Sequence, residues 1–211
     1  MKKSLYSLLL YDDLVAALDR VGYTMNISRS NLINQIIADY LSMQTPHGQR
    51  RDIFDELARL MVSKPPFRVQ SDPTDSMMSV YSRLQYRYNP TIRYCIELSK
   101  DGDIAEGVLR VTTRTQSNEL LEALKSFFTL WKNIENYCLG GNVHSELSEG
   151  RFERSFSLKD KKIGSSSDIA EAISGYINIL HNGLSNYLSG GTERELLNLY
   201  QNYISEQSSI S

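Results

Sequence analysis

The sequence predicts an α+β protein in which a short N-terminal module precedes a larger unit built on an antiparallel sheet. Three observations favour this class. Apolar residues recur at helical spacing in residues 12–41, they alternate with a period of two between residues 76 and 114, and helical spacing returns after residue 117. Strands and helices that follow one another in separate runs are typical of α+β architecture.

The composition indicates a chain that folds around its own apolar core. Of its 211 residues, 41% are hydrophobic and 23% are charged, and the formal net charge is −2. This balance excludes a protein that is basic throughout, so any nucleic-acid binding must be local. Two cysteines, Cys95 and Cys138, exclude a disulfide-stapled scaffold and fit packing roles in a reducing compartment. No segment has the pattern of a membrane span or a secretory leader, so we expect a cytoplasmic protein without a membrane partner.

A strand followed by two helices is expected at the N-terminus. Residues 4–10 form a β-prone run, and a stripe of apolar residues predicts a first helix over about residues 12–25. Asn26 suits the left-handed residue that follows this helix, and Ser28 suits the N-cap of a second helix. A single strand cannot satisfy its own backbone hydrogen bonds, so the pattern predicts a dimer.

The run from Leu10 to Asp19 and the segment Ile27-Ser28-Arg29-Ser30-Asn31-Leu32-Ile33 resemble the ribbon-helix-helix family of DNA-binding proteins. The resemblance covers residues 1–46. It implies that two protomers pair their strands into an antiparallel ribbon that enters the major groove of double-stranded DNA. It also implies that the N-terminus of the second helix presents backbone amides to a phosphate. The expected assembly is a homodimer or a higher homo-oligomer.

The same resemblance implies a role for individual side chains. Alternation along the strand directs even-numbered residues inward and odd-numbered residues toward the bases. The residues implied to contact DNA are Lys2, Lys3, Leu5, Ser7, Leu9, Ser28, Arg29 and Ser30. The residues implied to form the dimer interface are Tyr6, Leu8, Leu10, Leu32 and Ile36.

Two features of this module limit its expected affinity for DNA. Leu5 and Leu9 offer base edges only apolar contact, so Ser7 is the one polar side chain on the outward face of the strand. The Lys and Arg residues within residues 1–46 are matched in number by Asp residues, so non-specific attraction should be modest. Affinity is therefore expected to come from paired dimers on repeated half-sites.

A third helix and a separate α+β domain follow the module. Apolar residues from Ile53 to Met61 predict a helix that ends before Pro65, and residues 47–66 are interpreted as a linker helix. The predicted division is therefore 1–46, 47–66 and 67–211. The third domain is expected to oligomerise or to sense a signal, with a small molecule or a protein as its effector.

The third domain is predicted to contain a three-strand meander covered by long helices. The strands lie near residues 76–87, 91–99 and 105–114, because Asn89-Pro90 and residues 100–103 are turn sequences. Alternation over residues 151–158 indicates a fourth strand. Helices are expected from Ser117 to Gly140, over about residues 168–188, and from the capping box of Thr192 and Glu195.

No catalytic or metal-binding pattern accompanies these elements. The histidines and cysteines lack the close spacing of metal ligands, and the glycine motifs of hydrolases and nucleotide-binding proteins are missing from the sequence. We therefore expect no enzyme, no metal and no cofactor. Tyrosines and arginines interleave in the first predicted hairpin, which favours cross-strand pairing, with a ligand site, a protein-binding face or single-stranded nucleic-acid binding as alternatives. These residues are Tyr81, Arg83, Tyr86, Arg87, Tyr88, Arg93 and Tyr94.

The sequence thus predicts a dimeric, sequence-specific DNA-binding transcriptional regulator. Two alternatives stay open. One is an accessory protein of a plasmid or mobile element that acts on DNA in partition, relaxation or antitoxin control. The other is a protein-interaction scaffold whose ribbon only dimerises, which the outward Leu5 and Leu9 favour.

Overall fold

The computed structural model describes residues 4–70, 76–99, 106–141, 143–148, 150–157 and 165–209. These residues form a six-stranded antiparallel sheet and six helices. The helices are α1 (Asp12–Met25), α2 (Arg29–Tyr40), α3 (Pro46–Val62), α4 (Asn118–Cys138), α5 (Ser166–Leu188) and α6 (Glu193–Ser209). The strands are β1 (Arg68–Val69), β2 (Met77–Arg83), β3 (Thr91–Leu98), β4 (Glu106–Thr113), β5 (Ser145–Ser148) and β6 (Arg151–Ser157).

The sheet confirms the α+β class and corrects its predicted topology. Strands β2, β3 and β4 form the expected meander, and β6 pairs with β4 as the expected fourth strand. The whole sheet is not a simple meander, because its order is β1-β2-β3-β4-β6-β5 and α4 separates β4 from the β5–β6 hairpin. Strands β1 and β5 were not predicted, since runs of two and four residues are too short to show a period.

The first predicted strand is also shorter than expected. It ends at Arg83, and Leu84 instead donates a backbone hydrogen bond to the Pro90 carbonyl oxygen at 2.9 Å. Tyr88 and Asn89 have positive φ angles of 65° and 44°, which is turn geometry. The predicted turn at residues 100–103 and the last residue of the predicted strand 151–158 lie outside the described residues.

Alternation along the strands gives the sheet two different faces. On one face, Val80, Tyr94, Val111 and Phe152 lie side by side on four neighbouring strands, and each is buried. Buried residues of α3, α4, α5 and α6 belong to the same apolar cluster, so these helices cover this face. Each such large side chain contributes about 1.5–3 kcal/mol to the free energy of unfolding when it leaves water.

Helix α3 belongs to this core, although residues 47–66 were interpreted as a linker helix. Ile53, Phe54, Leu57 and Met61 are buried, and α3 packs against α5. Their spacing forms a stripe that stabilises the fold only when another element covers it. The connection between α2 and α3 in the structure is the short segment 41–45.

The N-terminal helices have the predicted caps. Asn26 ends α1 in the left-handed region with φ of 53°, and the Ser28 side chain accepts a hydrogen bond from the Asn31 amide. Buried Gly22 makes the tight turn between the helices possible, because a Cβ there would lie 2.9 Å from the Ile27 carbonyl oxygen. The capping box of Thr192 and Glu195 at α6 is confirmed by hydrogen bonds in both directions.

The predicted N-terminal strand does not form in the single chain. Residues 4–11 belong to neither a helix nor a strand. A ribbon strand needs a second strand beside it, and the sheet formed by β1 to β6 does not include this segment. The structure of one chain therefore leaves the ribbon and the dimer unconfirmed.

Trp131 on α4 packs directly against Gly183 on α5. A Cβ on Gly183 would lie 2.5 Å from the Cζ3 atom of the buried Trp131 ring. The indole nitrogen of Trp131 also donates a hydrogen bond to the Tyr176 hydroxyl at 3.2 Å. Tyr200 packs edge-on against the ring and Phe127 packs beside it, so these neighbours restrict its movement away from Gly183.

Gly183→Ala is expected to lower the free energy of unfolding by about 1–3 kcal/mol, because overpacking against Trp131 outweighs the gain in helix propensity. Urea unfolding followed by Trp131 fluorescence measures the change. Asn182→Ala is the matched control, since Asn182 is the exposed neighbour on the same helix. A Gly183→Ala protein as stable as the control would show that α4 and α5 can separate enough to admit a methyl group.

Candidate nucleic-acid interface

The first turn of α2 contains the phosphate-binding residues implied by the sequence. Ser28, Arg29 and Ser30 are exposed, and Ser28 caps the helix through its side chain. The backbone N–H groups of Arg29 and Ser30 have no helical carbonyl four residues earlier, so they face solvent as donors. Such a turn favours an anion through both hydrogen bonds and the helix dipole.

Arg29 makes an ion pair that the sequence pattern does not predict. Its Nε and Nη2 atoms lie 2.7 and 2.5 Å from the two carboxylate oxygens of Asp19, and both side chains are about half exposed. The hydrogen bonds from Arg29 lower the pKa of Asp19, and those to Asp19 raise the pKa of Arg29. Asp19 lies on α1 and Arg29 on α2, so only the packing of the two helices brings them together. Arg29 must leave Asp19 before it can bind a phosphate through the same atoms.

The remaining implied DNA contacts lie on the N-terminal segment. Leu5, Ser7 and Leu9 are exposed, and Lys2 and Lys3 lie outside the described residues. No strand pairing fixes the position of this segment relative to Ser28. The structure therefore groups Ser28, Arg29 and Ser30 at one helix end, and it does not bring Ser7 to them.

The implied dimer residues divide into two groups. Leu32 is 4% exposed and already packs within the chain, whereas Ile36 is 50% exposed. Tyr6, Leu8 and Leu10 are exposed on the N-terminal segment.

Most of the exposed large apolar side chains of the described chain fall between residues 5 and 43. The other members of this surface are Leu5, Leu9, Tyr11, Leu14, Val21, Tyr23, Met25, Ile37, Tyr40, Leu41 and Met43.

A buried polar cluster joins α5 to the core face of the sheet. The two ring nitrogens of His181 form hydrogen bonds with the Tyr94 hydroxyl at 2.9 Å and the Ser82 hydroxyl at 3.3 Å, and Phe67 packs edge-on against the ring. Burial lowers the pKa of His181 to about 4. The neutral ring has one donor and one acceptor, which matches two hydroxyl partners. Since these groups are enclosed in the core, the cluster stabilises the fold and is not placed to react with a substrate.

This cluster makes stability depend on pH. Below pH 6.5 the unfolded chain binds a proton at His181 that the folded chain excludes until about pH 4. The free energy of unfolding should therefore fall by up to about 3 kcal/mol as the pH drops through this interval. His181→Gln should reduce this slope in urea titrations between pH 7 and pH 4, because the amide does not titrate. His144→Gln, at an exposed histidine, should keep the full slope. Equal slopes in the two variants would contradict the assignment.

A second buried cluster connects α4, α6 and β6. The Arg154 Nε atom and the Tyr200 hydroxyl donate hydrogen bonds to Glu135 Oε1 at 2.8 and 3.1 Å, and the Arg154 guanidinium lies over the Tyr176 ring at 4.4 Å. Burial raises the pKa of Glu135, while the Arg154 charge opposes this change. With Tyr176, which lies on α5, the cluster links four elements that periodicity identifies only separately. It acts as a structural connection, since removing one member would leave the other charge buried.

A groove lies between α4 and the sheet of the α+β unit. Its volume is about 500 Å³, within the range of small-molecule sites. The buried residues Ile92, Val111 and Phe128 line it together with the exposed residues Glu122 and Lys125.

Metal-ligand clusters and membrane-spanning helices are both absent from the described parts of the chain. No group of three or more His, Cys, Asp or Glu side chains among the described residues could hold a metal ion. Within the same ranges, no helix combines the length and the apolar character that crossing a bilayer requires. Both cysteines are free.

Comparison of the chain with protein-family models, with curated proteins and with solved structures gives no match. Function must therefore be inferred from the residues and contacts of the chain itself.

Proposed function

We propose that this protein is a sequence-specific DNA-binding regulator that acts as a homodimer through a ribbon-helix-helix unit in residues 1–46. The observation that carries the proposal is the uncovered apolar surface of residues 5–43. Elsewhere in the described chain, exposed large apolar side chains are few: Val62, Tyr88, Tyr137 and Leu139. Exposed apolar side chains that are concentrated in one segment are typical of an interface, and a second copy of the same segment supplies complementary ones.

The geometry of the two helices also supports the proposal. The left-handed Asn26 and the Ser28 cap set the turn at which the family places its phosphate contact. The amides of Arg29 and Ser30 point out of the first turn of α2, where an anion is favoured. In this proposal, Asp19 holds Arg29 in the free protein and releases it when a phosphate takes the place of the carboxylate.

The dimer can be tested with two neighbouring leucines. In a ribbon, Leu8 faces the shared core and Leu9 faces the DNA, because side chains alternate along a strand. Leu8→Ser should raise the dimer dissociation constant at least about 100-fold, because each dimer loses two buried leucine side chains, one from each protomer. Leu9→Ser makes the same chemical change and should leave the dimer intact. Sedimentation equilibrium measures both. A monomeric wild type, or equal effects of the two substitutions, would refute the ribbon.

DNA binding can be tested through the Asp19–Arg29 pair. A gel-shift assay on duplex DNA from upstream of the protein's own gene should show retention by the wild type. Asp19→Asn should tighten binding, because Arg29 then meets a phosphate without first leaving a carboxylate. Arg29→Ala should weaken binding to all sequences alike and reduce the salt slope by about 1 for each phosphate that is no longer neutralised. Ser7→Ala should instead relax sequence preference, by about 1 kcal/mol or more.

Arg51→Ala is the control for the removal of one positive charge, because Arg51 is exposed on α3, outside the proposed unit. It should leave retention unchanged. If the protein is a dimer that retains no duplex even at low salt, the scaffold alternative replaces the regulator. If it retains DNA of any sequence equally, the alternative of an accessory DNA-binding protein is favoured.

A further inference from the structure

The face of the sheet opposite the core carries arginines at one end. Strand pairing places five residues in one row across five strands, and the next row along β2 and β3 consists of Arg83 and Thr91. Arg114 follows the last residue of β4, and alternation directs it to the same face. The five residues of the first row, from β1 to β6, are Arg68, Tyr81, Arg93, Thr112 and Arg151.

Acidic residues of this face lie toward the opposite end. Glu97 and Glu153 both pair with Arg110, and Glu153 also pairs with Arg151. The row from Arg68 to Arg151 and the row of Arg83 and Thr91 include no acidic residue. Within the described residues, Arg68, Arg83, Arg93 and Arg114 form no ion pair with a carboxylate. This end of the face is therefore strongly basic in a protein whose net charge is −2.

One aromatic ring lies within the basic rows. Of the tyrosines in the first hairpin, Tyr94 is buried in the core and Tyr86 packs against it, while Tyr88 is exposed at the turn. Tyr81 is the one on the open face, half buried, and the Arg93 guanidinium lies 5.9 Å from its ring centre. The Arg93 side chain is held in place by hydrogen bonds to the Ser79 hydroxyl at 2.8 and 3.0 Å.

We propose that this open face binds a single-stranded nucleic acid, whose phosphates pair with Arg68, Arg83 and Arg114 and one of whose bases stacks on Tyr81. Strands lie about 4.8 Å apart, so the row from Arg68 to Arg151 extends about 19 Å, enough for several nucleotides. Arginine binds phosphate with two parallel hydrogen bonds, and it requires no pocket to do so. A basic track with an aromatic ring inside it matches the chemistry of a single strand.

A single strand fits this face better than a duplex. Tyr81 lies between Arg68 and Arg93 on the face of the sheet, where its ring can stack only on a base whose own face is open. The bases of a duplex are stacked on one another and present only their edges in the grooves. The site is also separate from the proposed duplex-binding unit, since none of its residues belongs to residues 1–46.

Fluorescence anisotropy of the full-length protein with a labelled oligothymidine of about 20 nucleotides at roughly 50 mM salt tests the proposal. The wild type should bind, and Arg83→Ala/Arg114→Ala should reduce the salt slope by about 1.4, the value for two phosphate contacts on a single strand. Tyr81→Leu should weaken binding about fivefold or more, because one base can no longer stack. Arg51→Ala/Arg194→Ala removes the same charge from exposed helix positions and should have no effect.

Four results would overturn the proposal. In the first, the wild type does not bind the oligothymidine, and in the second the two double variants weaken its binding equally. In the third, Arg29→Ala abolishes binding of the oligothymidine, and in the fourth a duplex of random sequence competes as well as unlabelled oligothymidine does. The third result would place the single strand on the N-terminal unit instead. Since Arg29→Ala is expected to keep single-strand binding and to weaken duplex binding, failure here is distinguishable from failure of the proposed regulator.

Discussion

The alternation of side chains along β2, β3 and β4 is the constraint on which the rest of the structure depends. It sends Val80, Tyr94 and Val111 to one face, and helices α3 to α6 are needed to cover the apolar surface that results. The same alternation sends Tyr81 and Arg93 to the other face, whose basic end is exposed at Arg68, Arg83 and Arg114. One period thus determines both where the core lies and where the open, charged surface lies.

The N-terminal helices differ from the α+β unit in how far their apolar side chains are buried. Asn26 ends α1 and Ser28 caps α2 within one chain, whereas most of the large apolar side chains of these helices are exposed. In the α+β unit, by contrast, the buried polar groups of His181 and Glu135 have partners from distant parts of the same chain. This difference in burial is the reason why we propose that assembly and DNA binding belong to the smaller, N-terminal part.

The sequence predicts features that depend on near neighbours. The caps at Asn26, Ser28 and Ser117 could be predicted because each is decided within a few residues. The core role of α3, the Asp19–Arg29 pair and the His181 cluster could not, since they join residues far apart in the chain or on different elements. From the sequence, the basic end of the open face could be recognised only as interleaved Arg and Tyr residues. Which of these residues share a face depends on strand register, which the sequence does not give. For the candidate site, the sequence indicated the first turn of α2 but not the carboxylate that pairs with Arg29.

Trp131, which packs against Gly183, makes it possible to follow the two parts of the protein by two different optical signals. The chain has a single tryptophan, and that residue reports on the packing of the helical layer above the sheet. The N-terminal unit has tyrosines but no tryptophan, among them Tyr6, Tyr23 and Tyr40. Melting of α1 and α2 alone would therefore lower helical circular dichroism while the emission of Trp131 stays constant, so the two units can be followed independently in one unmodified sample.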